Sequence, residues 1–424
     1  MFAEKFRLND FSKNIITLVT GTTISQIITF AISPVLTRLY SPDDFGVLAL
    51  FFSICSILSV VAAGRYELSI VIPEKDNEAA NIVVLSILIS AAFSLFLQFV
   101  FAVFNSTISG LMGNELISFW LYFVPLVVFM MSLYNILRYF SIRIKDFKNV
   151  AVTRTVKSFA GAAFKLVFGF IGFTSGGLVT GEIVSHFFGN TSLIRNLYKR
   201  KELFADVSYS RMAEEAKKYS DFPKFSLPGA LSNSLSLNLN SFFLTSLFSL
   251  AVLGQYALVN KAVSVPLTLI GSSVSDAYFQ RAAQERNETG TAKNAFIQSA
   301  KYLALIAIPV FFALFFFGEE LFAFVFGESW RPAGSYAKIL SFLVAVRLVA
   351  TPLSVTTCAF EKQGTSLVLT LLQLVMMVAV FVVAKVFSFE MEAFLILYTA
   401  SMTSYYILML VVCFNIAVKG KCRN

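Results

Sequence analysis

Basic side chains interrupt several long apolar stretches of this sequence. Lys165, Lys261 and Arg347 lie deep inside such stretches, and Arg154 and Lys157 lie nearer to an end. Arg154, Lys157 and Lys165 are spaced i, i+3 and i+11, which confines them to an arc of about 80° on one helix. An intramembrane charge is costly unless it faces water or a partner. These residues could bind an anion in a hydrated cavity, although Arg154 and Lys157 could instead extend to the membrane interface.

A guanidinium and a carboxylate stand two residues apart in the segment Arg65-Tyr66-Glu67. We place this segment near the cytoplasmic end of the second predicted helix, where residues i and i+2 point to different faces. The planar fork of Arg65 suits a phosphate better than an ammonium group does. Either charged residue could instead form a structural ion pair with another helix, and both alternatives stay open.

Two further groups of polar residues lie in predicted helices. Asn233 and Asn240 belong to an unusually polar seventh helix, which could hydrogen-bond to its neighbours or line a cavity that binds sugar hydroxyls. Glu182 and His186, the only histidine, are four residues apart and share a helix face. Histidine changes charge near neutral pH, which makes Glu182 and His186 candidates for ion coupling. Glu67 is a further candidate for this role. A hydrogen-bonded structural histidine is the alternative.

The elements that must position these residues are membrane-spanning helices. Of the 424 residues, 57% are apolar, only 14% are charged and 47 are Phe, which excludes an ordinary soluble domain. Lipid offers no partner to an unpaired amide, and the alternation of a barrel strand is absent, so the spans must be helical. We predict twelve, in the windows 14–37, 45–69, 79–103, 116–137, 149–172, 176–197, 224–248, 252–280, 297–317, 334–357, 366–387 and 393–416.

The distribution of the 34 Lys and Arg residues predicts the orientation. If both termini are cytoplasmic, 23 of these residues lie on the cytoplasmic side, four on the opposite side and seven inside spans. Attraction to the anionic headgroups of the inner leaflet accounts for the net charge of +9, so nucleic acid is not an expected partner. The sequence therefore predicts a multi-pass inner-membrane protein with cytoplasmic N- and C-termini.

An internal repeat divides the chain into two halves. A shift of 208 residues aligns Leu36-Thr37-Arg38-Leu39-Tyr40-Ser41 with Leu244-Thr245-Ser246-Leu247-Phe248-Ser249, and the similarity continues into the following helix. We predict an N-terminal six-helix lobe at 1–200, a cytoplasmic linker at 201–222 and a C-terminal six-helix lobe at 223–424. Two such parallel lobes would be pseudo-symmetric around a central cavity, an arrangement typical of secondary transporters.

Catalytic signatures are absent from the sequence. There is no Walker motif, zinc-ligand spacing or nucleophile elbow, and Cys55, Cys358, Cys413 and Cys422 show no pairing pattern. We therefore expect no cofactor, no metal site and no disulfide. A transporter that is not an enzyme fits these observations better than a catalyst does.

Three motifs resemble the polysaccharide branch of the multidrug, oligosaccharidyl-lipid and polysaccharide exporter superfamily. The run from Leu36 to Gly46 and the run Arg65-Tyr66-Glu67-Leu68-Ser69-Ile70-Val71-Ile72-Pro73 look like the N-terminal signature of O-antigen and exopolysaccharide flippases. Phe326-Gly327-Glu328-Ser329-Trp330-Arg331-Pro332-Ala333-Gly334 resembles the outer-loop signature of their second half. The resemblance covers essentially the whole chain and implies an all-α, polytopic fold like that of the multidrug and toxic compound extrusion (MATE) transporters.

The resemblance also implies a function and a set of partners. The expected substrate is an undecaprenyl-pyrophosphate-linked repeat unit of O-antigen or exopolysaccharide, moved from the cytoplasmic to the periplasmic leaflet in the assembly of a surface polysaccharide such as lipopolysaccharide. Membrane lipids, a polysaccharide polymerase and a chain-length regulator are expected partners. Arg65 matches the signature arginine, and the other candidates for a cationic lumen come from the helix analysis above: Arg154, Lys157, Lys165, Lys261 and Arg347. A multidrug or cation antiporter of the same fold and a polysaccharide polymerase or ligase are the alternatives.

Overall fold

The computed structural model describes residues 10–112 and 115–420, and these are almost entirely helical, with no strand among them. Sixteen α-helices follow one another along the described chain: α1 (Asp10–Ala31), α2 (Ser33–Leu39), α3 (Pro42–Ala62), α4 (Asp76–Leu111), α5 (Ser118–Leu121), α6 (Val124–Arg143), α7 (Phe147–Phe170), α8 (Thr174–Tyr198), α9 (Tyr209–Lys218), α10 (Leu227–Leu247), α11 (Leu250–Thr289), α12 (Lys293–Phe326), α13 (Arg331–Leu353), α14 (Thr356–Ala359), α15 (Gln363–Val386) and α16 (Met391–Lys419).

Each of the twelve predicted windows contains a long helix. Some windows hold two helices separated by a break, as in α1 and α2, where Pro34 stands in the first turn of the second helix. The last two windows, 366–387 and 393–416, match α15 and α16 closely. The predicted all-α polytopic fold is therefore confirmed. Its physical reason is that the backbone groups of a segment in lipid must form their hydrogen bonds within that segment.

Three of the long helices, α7, α8 and α10, are too polar to be recognised as spans by composition. Eight helical segments of the described chain are long and apolar enough to cross a membrane, and these three helices are not among them. They carry most of the residues that the sequence singles out for chemistry. Their polarity must be compensated by contacts between helices or by water, because lipid offers neither.

The second predicted span ends earlier than expected. Helix α3 stops at Ala62, and Gly64 and Arg65 follow with φ of 60° and 65°. Two consecutive residues in the left-handed region end a right-handed helix, and the chain continues as a 3-10 helix over Tyr66–Val71. The prediction that Arg65 and Glu67 lie on the second helix is wrong for this reason.

The segment that follows α3 is held by one arginine at the end of α6. The Arg143 guanidinium donates to the carbonyls of Ile70 at 3.2 Å and Pro73 at 2.7 Å, and to the Asp76 carboxylate at 2.9 Å. These bonds satisfy carbonyls that no helix or strand satisfies. They fix the loop that carries Arg65.

Helix α9 of the predicted linker packs on the start of α4. The Tyr66 hydroxyl donates to the carbonyl of Ala216 at 3.0 Å, and Lys218 pairs with Glu78 at 3.1 Å. The backbone amide of Ser208 also donates to the Asn81 side chain at 3.1 Å. The linker is therefore an ordered part of the first half of the chain.

The chain forms two compact units, Met1–Ser246 and Leu247–Asn424. Helix α10 belongs to the first unit because it contacts α3, as the 2.8 Å hydrogen bond between Ser53 and Ser241 shows. The second unit has its own apolar core, in which Tyr278, Leu303 and Leu353 are fully buried. The predicted lobe boundaries at 200 and 223 rest on the sequence repeat, and they remain a prediction.

The two copies of the repeat have the same local structure. Ser41 caps the first turn of α3 by accepting from the amide of Asp44, and the aligned Ser249 caps α11 by accepting from the amide of Val252. Both serines have extended backbone angles, as a helix N-cap requires. The leucines five residues before each cap, Leu36 and Leu244, are both buried. Sequence similarity here reflects one structural motif used twice.

Candidate functional site

A cavity of about 490 Å³ lies between α3 and α10 in the first unit. Its volume is within the range of about 300–1,000 Å³ that is typical of small-molecule sites. The lining combines one guanidinium, several hydroxyl and amide groups and an apolar remainder: Phe52, Ser56, Val60, Arg65, Ala230, Asn233, Ser234, Leu237 and Asn238. Such a surface can bind an anion and the hydroxyl groups next to it.

Arg65 is the charged group of this cavity. Its side chain is 25% exposed, and its Nη1 lies 3.4 Å from Oε1 of Glu67. Among the described residues, neither Nε of Arg65 nor Oε2 of Glu67 has a hydrogen-bond partner, although both atoms are buried. The Arg65 side chain therefore has a buried donor that no described residue satisfies, while the residue itself lines the cavity.

Glu67 is a buried carboxylate with more positive than negative charge around it. Burial raises the pKa of Glu67 above its ordinary value, and the nearby charges of Arg65 and Arg138 oppose that shift only in part. Arg65 stands before the 3-10 helix in the left-handed conformation, and this turn of the backbone brings its guanidinium to the Glu67 carboxylate. Arg138 was not among the sequence candidates, since nothing in its spacing links it to Glu67.

Some polar residues of α10 join it to α3, and some line the cavity. Ser241 hydrogen-bonds to Ser53 of α3, and Ser234 donates to the Ser56 carbonyl at 3.5 Å, so hydroxyl groups join the two helices. Asn233 lines the cavity. Asn240 is half-buried and lies outside the cavity lining. Of the two predicted amides, the structure brings only Asn233 to Arg65.

A second polar site joins α7 to α8. Nζ of Lys165 donates to Oε2 of Glu182 at 2.6 Å, and Oε1 of Glu182 lies 3.6 Å from Nε2 of His186. Nζ of Lys157 lies 3.3 Å from the same Nε2. We call these four residues the α7–α8 charge cluster. It holds two ammonium groups and one carboxylate, so residues predicted separately for substrate binding and for ion coupling form one network.

The imidazole ring of His186 lies buried in this cluster beside Lys157 and Glu182. With Lys157 charged, its ammonium group can only donate, which would make Nε2 the acceptor and leave the proton of a neutral His186 on Nδ1. The side chain is 3% exposed, and Nδ1 has no hydrogen-bond partner among the described residues. A buried donor of this kind is a natural contact for an internal water.

Small residues allow α7 and α8 to pack closely around the charge cluster. A Cβ atom added to Gly161 would lie 2.9 Å from Cβ of Ser185, and one added to Gly181 would collide with the stem of Lys165. The hydroxyl of Tyr40 donates to the Lys165 carbonyl at 2.6 Å, which fixes the backbone at that lysine. The glycines and Tyr40 therefore position Lys165 opposite Glu182.

We expect Gly161→Ala to lower the midpoint of thermal unfolding of the purified protein. Overpacking typically costs about 1–3 kcal/mol, which outweighs the gain of about 1 kcal/mol in helix propensity. Gly229→Ala is the matched control, because nothing lies within 4 Å of the Cβ position at that residue. Equal midpoints for the two variants would contradict close packing between α7 and α8.

The remaining predicted cations are not part of either group. Nη1 of Arg154 donates to Oγ1 of Thr22 on α1, although Arg154 shares its helix with Lys157 and Lys165. Lys261 on α11 and Arg347 on α13 belong to the second unit, and both are half-buried. The structure thus distributes the six cations over several local environments.

The cysteines that the structure describes, Cys55, Cys358 and Cys413, are free. Cys422 lies outside the described residues. The thiols take no part in the cavity lining or in the α7–α8 charge cluster.

Comparison with known proteins identifies the family. Residues 35–335 match the family model described as polysaccharide biosynthesis protein, which is more than half of the chain. The chain belongs to this family. The succinoglycan biosynthesis transport protein ExoT of Rhizobium meliloti is 21% identical over 333 residues, which are 77% of this chain and 64% of that protein. The chain spans less than two thirds of the length of the curated relatives it matches.

Solved structures share the fold of this family member. An inward-facing MATE multidrug transporter of the MOP superfamily superposes with a TM-score of 0.69 at 16% identity, covering 92% of this chain and 93% of that one. The lipid II flippase MurJ in an inward closed conformation superposes with a TM-score of 0.68 at 13% identity, covering 94% and 87%. At these identities the likeness shows the fold alone. The chain is a multi-pass membrane protein with the fold of MOP superfamily transporters.

Proposed function

We propose that this protein is a flippase that moves an undecaprenyl-pyrophosphate-linked oligosaccharide, the repeat unit of an O-antigen or exopolysaccharide, from the cytoplasmic to the periplasmic leaflet by alternating access. The observation that carries the proposal is the guanidinium of Arg65 in a cavity that also presents hydroxyl and amide groups. Membership of the polysaccharide biosynthesis family supports the choice of a lipid-linked saccharide over other anions.

The chemistry of the cavity suits this substrate. A pyrophosphate cannot enter hydrocarbon without losing its hydration, and charge-assisted hydrogen bonds from a guanidinium replace part of what is lost. Asn233 and Asn238 each carry donors and an acceptor that fit sugar hydroxyls next to the phosphate. The isoprenoid tail needs no protein site, because it remains in lipid. We place the protein in the cell inner membrane with cytoplasmic termini, and with a polysaccharide polymerase and chain-length regulator as partners.

Two acidic groups are candidates for coupling transport to an ion. Glu67 competes with a phosphate for Arg65, so its protonation would release the guanidinium for substrate. Glu182 neutralises one of two lysines in the α7–α8 charge cluster, so its protonation would leave both ammonium groups without a counter-charge. Each event changes the local charge by one, which is the requirement for a proton-coupled step.

The pairing of Arg65 with Glu67 predicts a pH dependence of anion binding. Above the raised pKa of Glu67 the carboxylate is ionised and opposes an incoming anion, whereas below that pKa it is neutral. We therefore expect Glu67→Gln to bind inorganic pyrophosphate about tenfold more tightly than the unmodified protein at neutral pH. The two affinities should converge as the pH falls through the pKa of Glu67. Calorimetric titration over a pH series measures both, and a constant ratio at all pH values would rule out Glu67 as the competing group.

A deletion strain tests the function itself. The measurements are the amount of surface polysaccharide and the leaflet in which the lipid-linked repeat unit accumulates. Loss of polymer with repeat units trapped on the cytoplasmic side supports the flippase. Unpolymerised units in the periplasm would assign the protein to polymerisation or ligation, and unchanged polysaccharide with altered drug sensitivity would make it a drug or cation antiporter.

A further inference from the structure

A second cavity, of about 420 Å³, opens where α7 begins and α8 ends. Three cations line it, Lys148, Arg195 and Lys199, against a single carboxylate, that of Asp146. Oδ1 of Asp146 accepts from the backbone amide of Asn149 and caps α7. The carboxylate is therefore partly committed to the helix, and the cavity keeps an excess of positive charge.

The cations of this cavity face outward and have no acidic partner. Lys148, Arg195 and Lys199 are all exposed, and none of them is in an ion pair with another residue that the structure describes. Ser192 donates to Oδ1 of Asn149 at 3.0 Å, which joins the two helices beneath the cations and orients the Asn149 amide. Three separate cations that outnumber the one carboxylate of the cavity suit a ligand with a phosphate group.

An exposed apolar stripe begins at the same cavity. On α7, Val152, Val156 and Phe159 follow Lys148 at i+4, i+8 and i+11 and occupy one face, and all three are exposed. On α8, the exposed ring of Phe188 stands seven residues before Arg195 and packs on α7 through Phe164, with ring centroids 6.1 Å apart. From Lys148 to Phe159 the stripe is about 16 Å long, roughly the thickness of one leaflet of hydrocarbon.

We propose that this cavity and stripe bind an acidic phospholipid of the surrounding membrane, with its phosphate among Lys148, Arg195 and Lys199 and an acyl chain along Val152, Val156 and Phe159. The ends of two spanning helices place the cations at headgroup depth, where anionic lipids attract basic residues. The site lies outside the Arg65 cavity and does not depend on the proposed transport reaction.

Lipid titration of the purified full-length protein tests the proposal. Phosphatidylglycerol added to the detergent micelles should raise the midpoint of thermal unfolding, while phosphatidylethanolamine should not. For Lys148→Gln/Arg195→Gln we expect an apparent affinity about thirtyfold weaker, since each cation near an anionic surface contributes about 1 kcal/mol. Lys201→Gln/Lys217→Gln removes two exposed cations from the linker and should leave the lipid dependence unchanged. Native mass spectrometry counts the retained lipid in the same samples.

Three outcomes would overturn the proposal. Equal protection by inorganic phosphate would make the cavity a site for soluble anions. Equal loss in the two double variants would mean that the lipid responds to diffuse charge. Unchanged lipid retention in Val152→Asn, with Lys148 and Arg195 intact, would exclude the apolar stripe from the site.

Discussion

Arg65→Ala should reduce export of the surface polysaccharide about a hundredfold while the protein remains in the membrane at its normal level. Removing one member of a desolvated, hydrogen-bonded charge pair typically costs about 3 kcal/mol of binding, which corresponds to that factor. The backbone should tolerate the change, because alanine and arginine face a similar steric penalty at the positive φ of residue 65. The measurements are polysaccharide display in a complemented deletion strain and the amount of protein in isolated membranes.

Two further variants separate charge from geometry at this position. Arg65→Lys keeps the charge and loses the planar fork, so we expect partial export, between those of Arg65→Ala and the unmodified protein. Arg200→Ala removes an exposed arginine that directly precedes the linker and serves as the matched control. Full export by Arg65→Ala at normal abundance would refute the role of the guanidinium in substrate binding.

The second large effect is expected at Glu182, where Glu182→Gln should destabilise the protein by about 3–5 kcal/mol. The substitution leaves Lys157 and Lys165 in the α7–α8 interface without a carboxylate, and an uncompensated buried charge is one of the costliest defects in a folded protein. Since total stability is commonly about 5–15 kcal/mol, membrane abundance should also fall. The midpoint of thermal unfolding in detergent measures the loss.

An exposed ion pair provides the control for Glu182. Glu328 pairs with Arg331 at 2.6 Å, but the two side chains are 74% and 44% exposed, so Glu328→Gln should change the unfolding midpoint little. If Glu328→Gln and Glu182→Gln lower the unfolding midpoint equally, burial of the α7–α8 charge cluster is not what makes Glu182 important.

A double variant distinguishes structure from transport at the same cluster. Lys165→Met/Glu182→Met removes both charges of the pair and leaves only Lys157 without a carboxylate, so it should be more stable than Glu182→Gln. We expect export to remain impaired, because the group proposed to exchange a proton is gone. Normal export by this stable double variant would assign the pair a structural role only and would end the proposal of ion coupling at Glu182.

The sequence alone was sufficient to predict the spanning helices and the repeated helix caps, because local chemistry determines both. A spanning segment must satisfy its own backbone in lipid, so long apolar stretches could become only helices. Twelve windows therefore matched helices, and the repeat around Ser41 and Ser249 marked two caps of the same kind.

Which charged side chains pair with one another across helices was determined by the tertiary structure. Lys165 and Glu182 lie 17 residues apart on different helices, and only the close packing at Gly161 and Gly181 brings their charged atoms to 2.6 Å. Arg65 and Glu67 meet because the chain leaves the α-helix at two positive φ angles, a change that the apolar pattern of the second span concealed. Composition and periodicity thus determined which segments become helices. The partner of a long charged side chain was determined only by how those helices pack, because such a side chain is long enough to contact several neighbouring helix faces.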